Sequence, residues 1–279
     1  MKNPSNQVEH HYGRENLLNA MLDALRKSGK DTTRLEPADL APVDEFHIRG
    51  REATVELAHL TSLKPGDRVL DAGSGLGGSA RYLASHFQCL VTGIDITRAY
   101  VDVANALAEL TGLEEKVHFQ HASALDLPFE DNAFDAVWTE HVQMNIADKR
   151  TFYGEIARVT RPGGLLLFHD IFKGDTEPIH YPVPWADDES INFLVTSDEL
   201  KAVLDTLGYS IQSWEDKSQA SLEWFEQVIE KLQKKGPPPL GFHLLTGDNA
   251  KSKFENQIRN LQEQRFVVVQ AVAKLNESR

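Results

Sequence analysis

From about residue 64 to residue 172 the chain alternates short β-rich runs with amphipathic helical ones. The first β-rich run ends in Asp71-Ala72-Gly73-Ser74-Gly75-Leu76-Gly77. No other feature constrains the fold as strongly. Strands separated by helix-length crossovers pair in parallel through right-handed connections, which gives a doubly wound α/β sheet. The expected strands are Arg68–Leu70, Leu90–Ile94, Val117–His121, Ala133–Trp138 and Leu165–Ile171, with two late ones at Tyr209–Trp214 and Phe266–Ala273. Helices are expected behind the glycine loop around Leu83, Ala84 and Phe87, over Tyr100–Leu110 and Lys149–Val159, and over Thr196–Leu207 with Thr196 or Ser197 as its cap.

Ahead of this pattern, Leu17, Leu18, Met21, Leu22 and Leu25 recur at helical spacing, which predicts a helix over residues 8–30 ending near Gly29. Residues 32–46 carry two prolines and read as a connector, followed by a second helix across Gly50–Leu60. Between the two late strands lies a polar, helical stretch broken by Gly236-Pro237-Pro238-Pro239. The expected organisation is an N-terminal helical lid over residues 1–60 and a core over 61–279, with a helical insertion at about 218–264. That insertion would cover a site or mediate contacts, and a homodimer is one assembly it would allow.

Charge removes several classes of function. The chain has 42 acidic and 29 basic side chains, a net charge of −13, and residues 61–218 alone hold 25 of the acids against 12 bases. An acidic body repels phosphate backbones and anionic headgroups, so neither nucleic acid nor a membrane surface is an expected partner. The one cysteine, Cys89, cannot close an internal disulfide. No apolar stretch approaches the length of a membrane span, and the first residues lack the apolar centre of a signal peptide. A cytoplasmic location is expected.

The glycine loop follows a strand and opens a helix. Glycines let a ligand approach the backbone, amides and the helix N-terminus supply donors, and Asp71 supplies an acceptor. The third glycine comes only two residues after the second, and an acid stands at the strand's end. Both suit a ligand bearing an ammonium better than a pyrophosphate, which argues against a nicotinamide dehydrogenase. Asp95 ends the next strand 18 residues after Gly77, where an acid can accept from both ribose hydroxyls; a helix cap is the alternative.

In Val69–Gly78, Gly93-Ile94-Asp95, Leu127-Pro128-Phe129 with Phe134-Asp135-Ala136-Val137, and Arg158–Gly164, the chain resembles the class I S-adenosylmethionine-dependent methyltransferases. Residues 46–54, 75–84, 141–149 and 181–186 further resemble its small-molecule branch, the sarcosine/dimethylglycine, phosphoethanolamine and tocopherol types, with the sarcosine/dimethylglycine-like members nearest. The resemblance implies a Rossmann-like, seven-stranded sheet whose last strand is antiparallel. It also implies S-adenosyl-L-methionine as cofactor, S-adenosyl-L-homocysteine as product, and a small soluble methyl acceptor, most simply an amine. Methylation of a phenol or quinol at carbon or oxygen, and cofactor binding without transfer, are the alternatives.

Carried over residue by residue, the resemblance places Asp71, Gly73, Gly75 and Gly77 around the methionine part of the cofactor. Asp95 would hold the ribose and Ile96 pack on the adenine. Many relatives have an acid followed by alanine near the adenine amino group; this chain has Ser123 and Ala124. The loop after the fourth strand faces cofactor and acceptor together, with Glu140 on the cofactor side and Gln143 and Asn145 toward the acceptor. His141 is the first candidate for acceptor positioning or general base, against a histidine merely satisfied by backbone. Phosphoethanolamine-type enzymes place a histidine slightly later, where this chain has Met144 and Asn145. Asp170 could bind a cationic amine or serve as a cap. Trp185 could wall the acceptor pocket, facing a cation, or act as a buttress. His47 and Arg49 could lid the site and pair with a substrate carboxylate. His10 and His11 have no accompanying ligand cluster, so a metal site is not expected.

Overall fold

The computed structural model describes residues 7–9, 16–246 and 249–277. Ahead of the sheet lie helices α1 Leu17–Lys27, α2 Pro37–Asp44 and α3 Arg51–His59. The alternating region follows as β1 Arg68–Ala72, α4 Gly78–His86, β2 Leu90–Asp95, α5 Arg98–Leu110, β3 Val117–His121, β4 Phe134–Glu140, α6 Lys149–Val159 and β5 Thr160–Lys173. Then come α7 Ser197–Thr206, β6 Tyr209–Asp216, three helices α8 Ser218–Lys235, α9 His243–Thr246 and α10 Ala250–Gln262, and finally β7 Phe266–Leu275. Among the described residues no helix is long and apolar enough to cross a membrane.

The seven strands form one sheet in the order β3-β2-β1-β4-β5-β7-β6. The first five are parallel, and β7 runs antiparallel between β5 and β6. This is the doubly wound sheet that the alternation predicts, in the Rossmann-like, seven-stranded form that the resemblance implies. Residues along each central strand alternate between two apolar layers. Val69, Ala136, Trp138 and Leu167 face α3, α4 and α5, while Leu70, Val137, Leu166 and Phe168 face α6 and α7. The strand order reverses between β1 and β4, and a crevice opens at that switch beyond the strands' carboxyl ends.

Two expectations are corrected. Of the helix expected over 8–30, residues 7–9 are helical, residues 10–15 lie outside the described residues, and Asn16 at φ +60° interrupts the run before α1 Leu17–Lys27. The proline-bearing connector is instead mostly helix α2. Pro37 stands in its first turn, where no donor is lost, and Glu36 and Asp39 form a reciprocal capping box. Pro42 does remove a bond, but Leu40 and Val43 are fully buried and Asp44 pairs at 2.6 Å with Arg81 of α4, both side chains inaccessible. Tertiary burial outweighs what the local sequence suggests.

Candidate active site

The carboxyl end of β1 leads into the glycine loop, whose entry is fixed by backbone bonds: Gly73 and Ser74 both donate to the Ile94 carbonyl, at 2.9 and 2.8 Å. Gly73 has φ +84°, and a Cβ there would stand 2.3 Å from Val142 Cγ2, so only glycine lets the loop after β4 close on the loop after β1. Gly75, at φ +52°, faces open space. That space belongs to a cavity of about 720 Å³, well within the roughly 300–1,000 Å³ typical of small-molecule sites.

One end of the cavity is acidic. Asp71 lines it, is 3% exposed, and has Oδ2 buried with no hydrogen-bond partner among the described residues. Burial drives its pKa well up, and the neighbouring Glu140 and Asp95 push the same way. Asp95 accepts from Gly75 N at 2.9 Å and Thr97 N at 2.7 Å, an arrangement that aims the carboxylate at the cavity while keeping lone pairs free. Burial raises its pKa too, against the pull of those amides. Ile96, Ser123 and Ala124 complete this end. An orphaned buried carboxyl oxygen, a second carboxylate and a glycine-lined approach fit a ligand with an ammonium and a vicinal diol.

The floor is a polar network at the carboxyl end of β4. Glu140 accepts from Trp138 Nε1 at 2.8 Å and from Ser79, with Thr54 Oγ1 at 3.3 Å and His47 Nε2 at 3.5 Å. Next to it His141 adopts φ +52°, a strained value for a side chain of its size, held by its amide donating to the His169 carbonyl at 2.9 Å. Its ring stacks on His169 at 5.3 Å and meets His47 at 5.9 Å, and Nε2 is buried without a partner among the described residues. Burial and the two adjacent imidazoles keep His141 well below the usual histidine range, hence neutral at pH 7. A neutral imidazole at a cavity wall can accept a proton.

The other end of the cavity is apolar. Its walls include Trp185, Trp224, Phe225, Phe254, Leu232 and Leu240, most of them from the segment between β6 and β7.

The sequence profile of the methyltransferase-domain family matches residues 70–168, the stretch that builds β1 through β5 and the loops just described. The 27-O-demethylrifamycin SV methyltransferase of Amycolatopsis mediterranei is 31% identical over 188 residues, which cover 64% of this chain and 67% of that relative. This chain belongs to the methyltransferase-domain family. It is also 29% identical to the glycine/sarcosine/dimethylglycine N-methyltransferase of Actinopolyspora halophila over 78% of its own length but only 38% of the relative's. In architecture it is similar to the geranyl diphosphate C-methyltransferase of Streptomyces coelicolor, at TM-score 0.71 and 18% identity over 98% of each chain.

Within this methyltransferase-domain chain the predicted residues separate into two groups. Asp71, Gly73, Gly75, Asp95, Ile96, Ser123, Ala124, Glu140, His141, His47, Asn145 and Trp185 all line the one cavity. Four others do not. Gly77 packs against Phe119, where a Cβ would approach a ring carbon to 2.2 Å, so it serves packing. Arg49 pairs at 2.6 Å with Glu56, which also binds Lys217, and does not line the cavity. Gln143 donates to the Ile171 carbonyl at 2.8 Å and is wholly buried. Asp170 is consumed by three amides, those of Val142 at 3.0, Gln143 at 3.1 and Ile171 at 2.8 Å, so it shapes the loop and does not line the cavity. His10 and His11 lie outside the described residues. No cluster of three or more candidate metal ligands occurs among the described residues.

Sequence reasoning missed Lys149. Its buried ammonium donates to the carbonyls of Gln143 at 2.7 Å, Phe193 at 2.7 Å and Ile146, clamping the short helical turn Gln143–Asn145. Burial lowers its pKa to about 8. In the sequence it reads only as the first residue of a helix, with no sign that its head turns inward. The insertion was expected to cover a site, but nothing in its sequence singles out Trp224, Phe225 and Phe254 as the lining.

Proposed function

We propose that this chain transfers a methyl group from S-adenosylmethionine to a small acceptor with a largely apolar body. The observation that carries the reading is the single cavity that joins the acid-lined glycine loop to an aromatic chamber, with His141 between them. S-adenosylmethionine, when bound, supplies an electrophilic methyl on a sulfonium leaving group, so the displacement needs no general acid. The chain's own residues supply the rest. Asp71 accepts from the ligand's ammonium, Asp95 from its ribose hydroxyls, and Ile96, Ser123 and Ala124 border the adenine. Glu140 holds the floor of the cavity through Ser79, Thr54 and Trp138. His141 takes the acceptor's proton at an imidazole nitrogen as the nucleophile attacks. Helices before residue 60 and the 218–264 insertion cover the cavity and exclude water. Holding donor and acceptor collinear can by itself contribute about 7–11 kcal/mol to the lowered barrier.

The apolar walls favour a phenol, quinol or other natural-product acceptor over the sarcosine-type amine implied by the resemblance. A small zwitterion would leave most of the aromatic chamber unfilled, and Arg49, the expected partner for its carboxylate, is directed elsewhere. The test is a screen of amine, phenol, thiol and carboxylate acceptors with labelled cofactor, alongside calorimetry with S-adenosylhomocysteine on the wild type and Asp95→Ala. Tight wild-type binding lost in the variant, with label incorporated into an apolar acceptor, is expected. Undiminished affinity in Asp95→Ala would overturn the cofactor assignment, and binding with no turnover on any acceptor would favour a non-transferring protein.

A further inference from the structure

Helix α10 turns Lys253 and Gln257, one helical turn apart, onto the cavity wall beside Phe254 and Trp224. Both are buried, Lys253 to 4% exposure and Gln257 to 7%. The Gln257 side chain makes no hydrogen bond to any described residue. The Lys253 ammonium has one ion-pair partner among the described residues, Asp187 Oδ1 at 3.0 Å, and that carboxylate side chain is 59% exposed. The pair is lopsided: the cation is withdrawn from water into an apolar chamber, while its counter-charge stands in solvent. A buried ammonium is costly to desolvate, whereas a solvated carboxylate gains little from the pair and is released at little cost. The chamber therefore holds a cation and an amide donor fixed one turn apart, with aromatic surface around them. The desolvation of Lys253 is already met in the folded chain, so an incoming anion adds only its own.

We propose that Lys253 and Gln257 form an oxyanion subsite, and that the methyl acceptor is an amphiphile carrying a carboxylate or phosphate on an apolar body. This deepens the proposed methyl-transfer reading and rests on it. On binding, the acceptor's anion replaces Asp187 as the partner of Lys253, and Gln257 Nε2 donates to a second oxygen. No bond is made or broken at this subsite.

The test uses the full chain loaded with S-adenosylhomocysteine and three probes of one apolar body: 2-naphthoate, its methyl ester, and 2-naphthyl phosphate. Calorimetry should show the wild type binding at least one of the anions tenfold or more tightly than the ester. Whichever anion binds better identifies the group. Lys253→Met should abolish that preference while leaving ester affinity within about threefold. Asp187→Asn, a surface change that keeps Lys253 in place, should tighten anion binding. Equal affinity for ester and anions in the wild type, no binding of any probe, or a parallel loss of all three in Lys253→Met would overturn the subsite, as would weaker anion binding in Asp187→Asn. S-adenosylhomocysteine affinity is measured in the same samples. Its loss in the wild type would sink the methyl-transfer reading, whereas its retention with a failed anion preference sinks the subsite alone.

Discussion

Replacing Asp71 by asparagine separates the cost of the site from its use. The change keeps shape and removes the charge. Without ligand, the Asp71 carboxyl is buried near Glu140 and Asp95, and its pKa stands well above the ordinary carboxylate range. An acid whose pKa is raised on folding contributes stability below its unfolded value and loses it as pH climbs through the folded value. That elevation withdraws stability at pH 8. Asp71→Asn escapes that cost, so at pH 8 the ligand-free variant should melt higher than the wild type, by about 2–4 °C for each kcal/mol recovered. Binding should move the other way. The variant loses a charge-assisted hydrogen bond to an ammonium, worth about 1.5–3 kcal/mol, so S-adenosylhomocysteine should bind roughly 10–150-fold more weakly. Because the ligand needs the ionised carboxylate, wild-type binding at acid pH, where the raised carboxyl still holds its proton, should also release that proton. That release shows up as a dependence of the binding heat on the buffer's ionisation enthalpy, and the variant should lack it. Thermal melts and calorimetry in two buffers decide the matter. A lower melting temperature together with an affinity changed less than threefold would refute the reasoning.

His141→Ala should lower turnover by about 10²–10⁴ while shifting S-adenosylhomocysteine affinity less than fivefold; a comparable loss in both would make the residue structural. Gly73→Ala places a methyl 2.3 Å from Val142 Cγ2 at φ +84°, so it should cost about 2 kcal/mol or more in denaturant melts and weaken the cofactor analogue, and Val142→Ala in the same chain should recover part of the loss. The pH dependence of stability follows from Glu45, raised by burial to about 7, and Asp170, raised by burial to about 6. Both bind protons in the folded chain that the unfolded chain has released. Stability should therefore fall between about pH 4.5 and pH 7, at up to about 1.4 kcal/mol per unit for each group. Glu45→Gln should flatten that fall, and an unchanged slope would sink the assignment. Asp170→Ala strands three buried amide donors and should cost about 3 kcal/mol or more, with a matching loss of activity through the displaced 141–143 loop.

The central sheet was legible because each of its strands and helices carries its own periodicity. Val117–His121 and Lys149–Val159 begin and end where their apolar spacing says they should. The cofactor end was legible for a related reason: Asp71, the glycines and Asp95 lie at strand ends, and the parallel pairing of β1 with β2 brings any residues so placed to one crevice. Helix α2 was hidden, because Pro42 opposes it locally and only the burial of Leu40, Val43 and the Asp44–Arg81 pair outweighs that.

What the chain's order of residues determined by itself is thus the alternation, the crevice and the acids that face it, all set by short-range pattern and a fixed handedness of connection. Which way Asp170, Gln143 and Arg49 turn was decided only by tertiary structure, since each had polar partners to choose from and the nearest buried amide, carbonyl or carboxylate took it. The same holds for the aromatic chamber and for Lys253. Residues more than 60 positions from the cavity's last strand-end acid reach it only because β7 must return between β5 and β6, and that return folds the preceding helices back over the crevice.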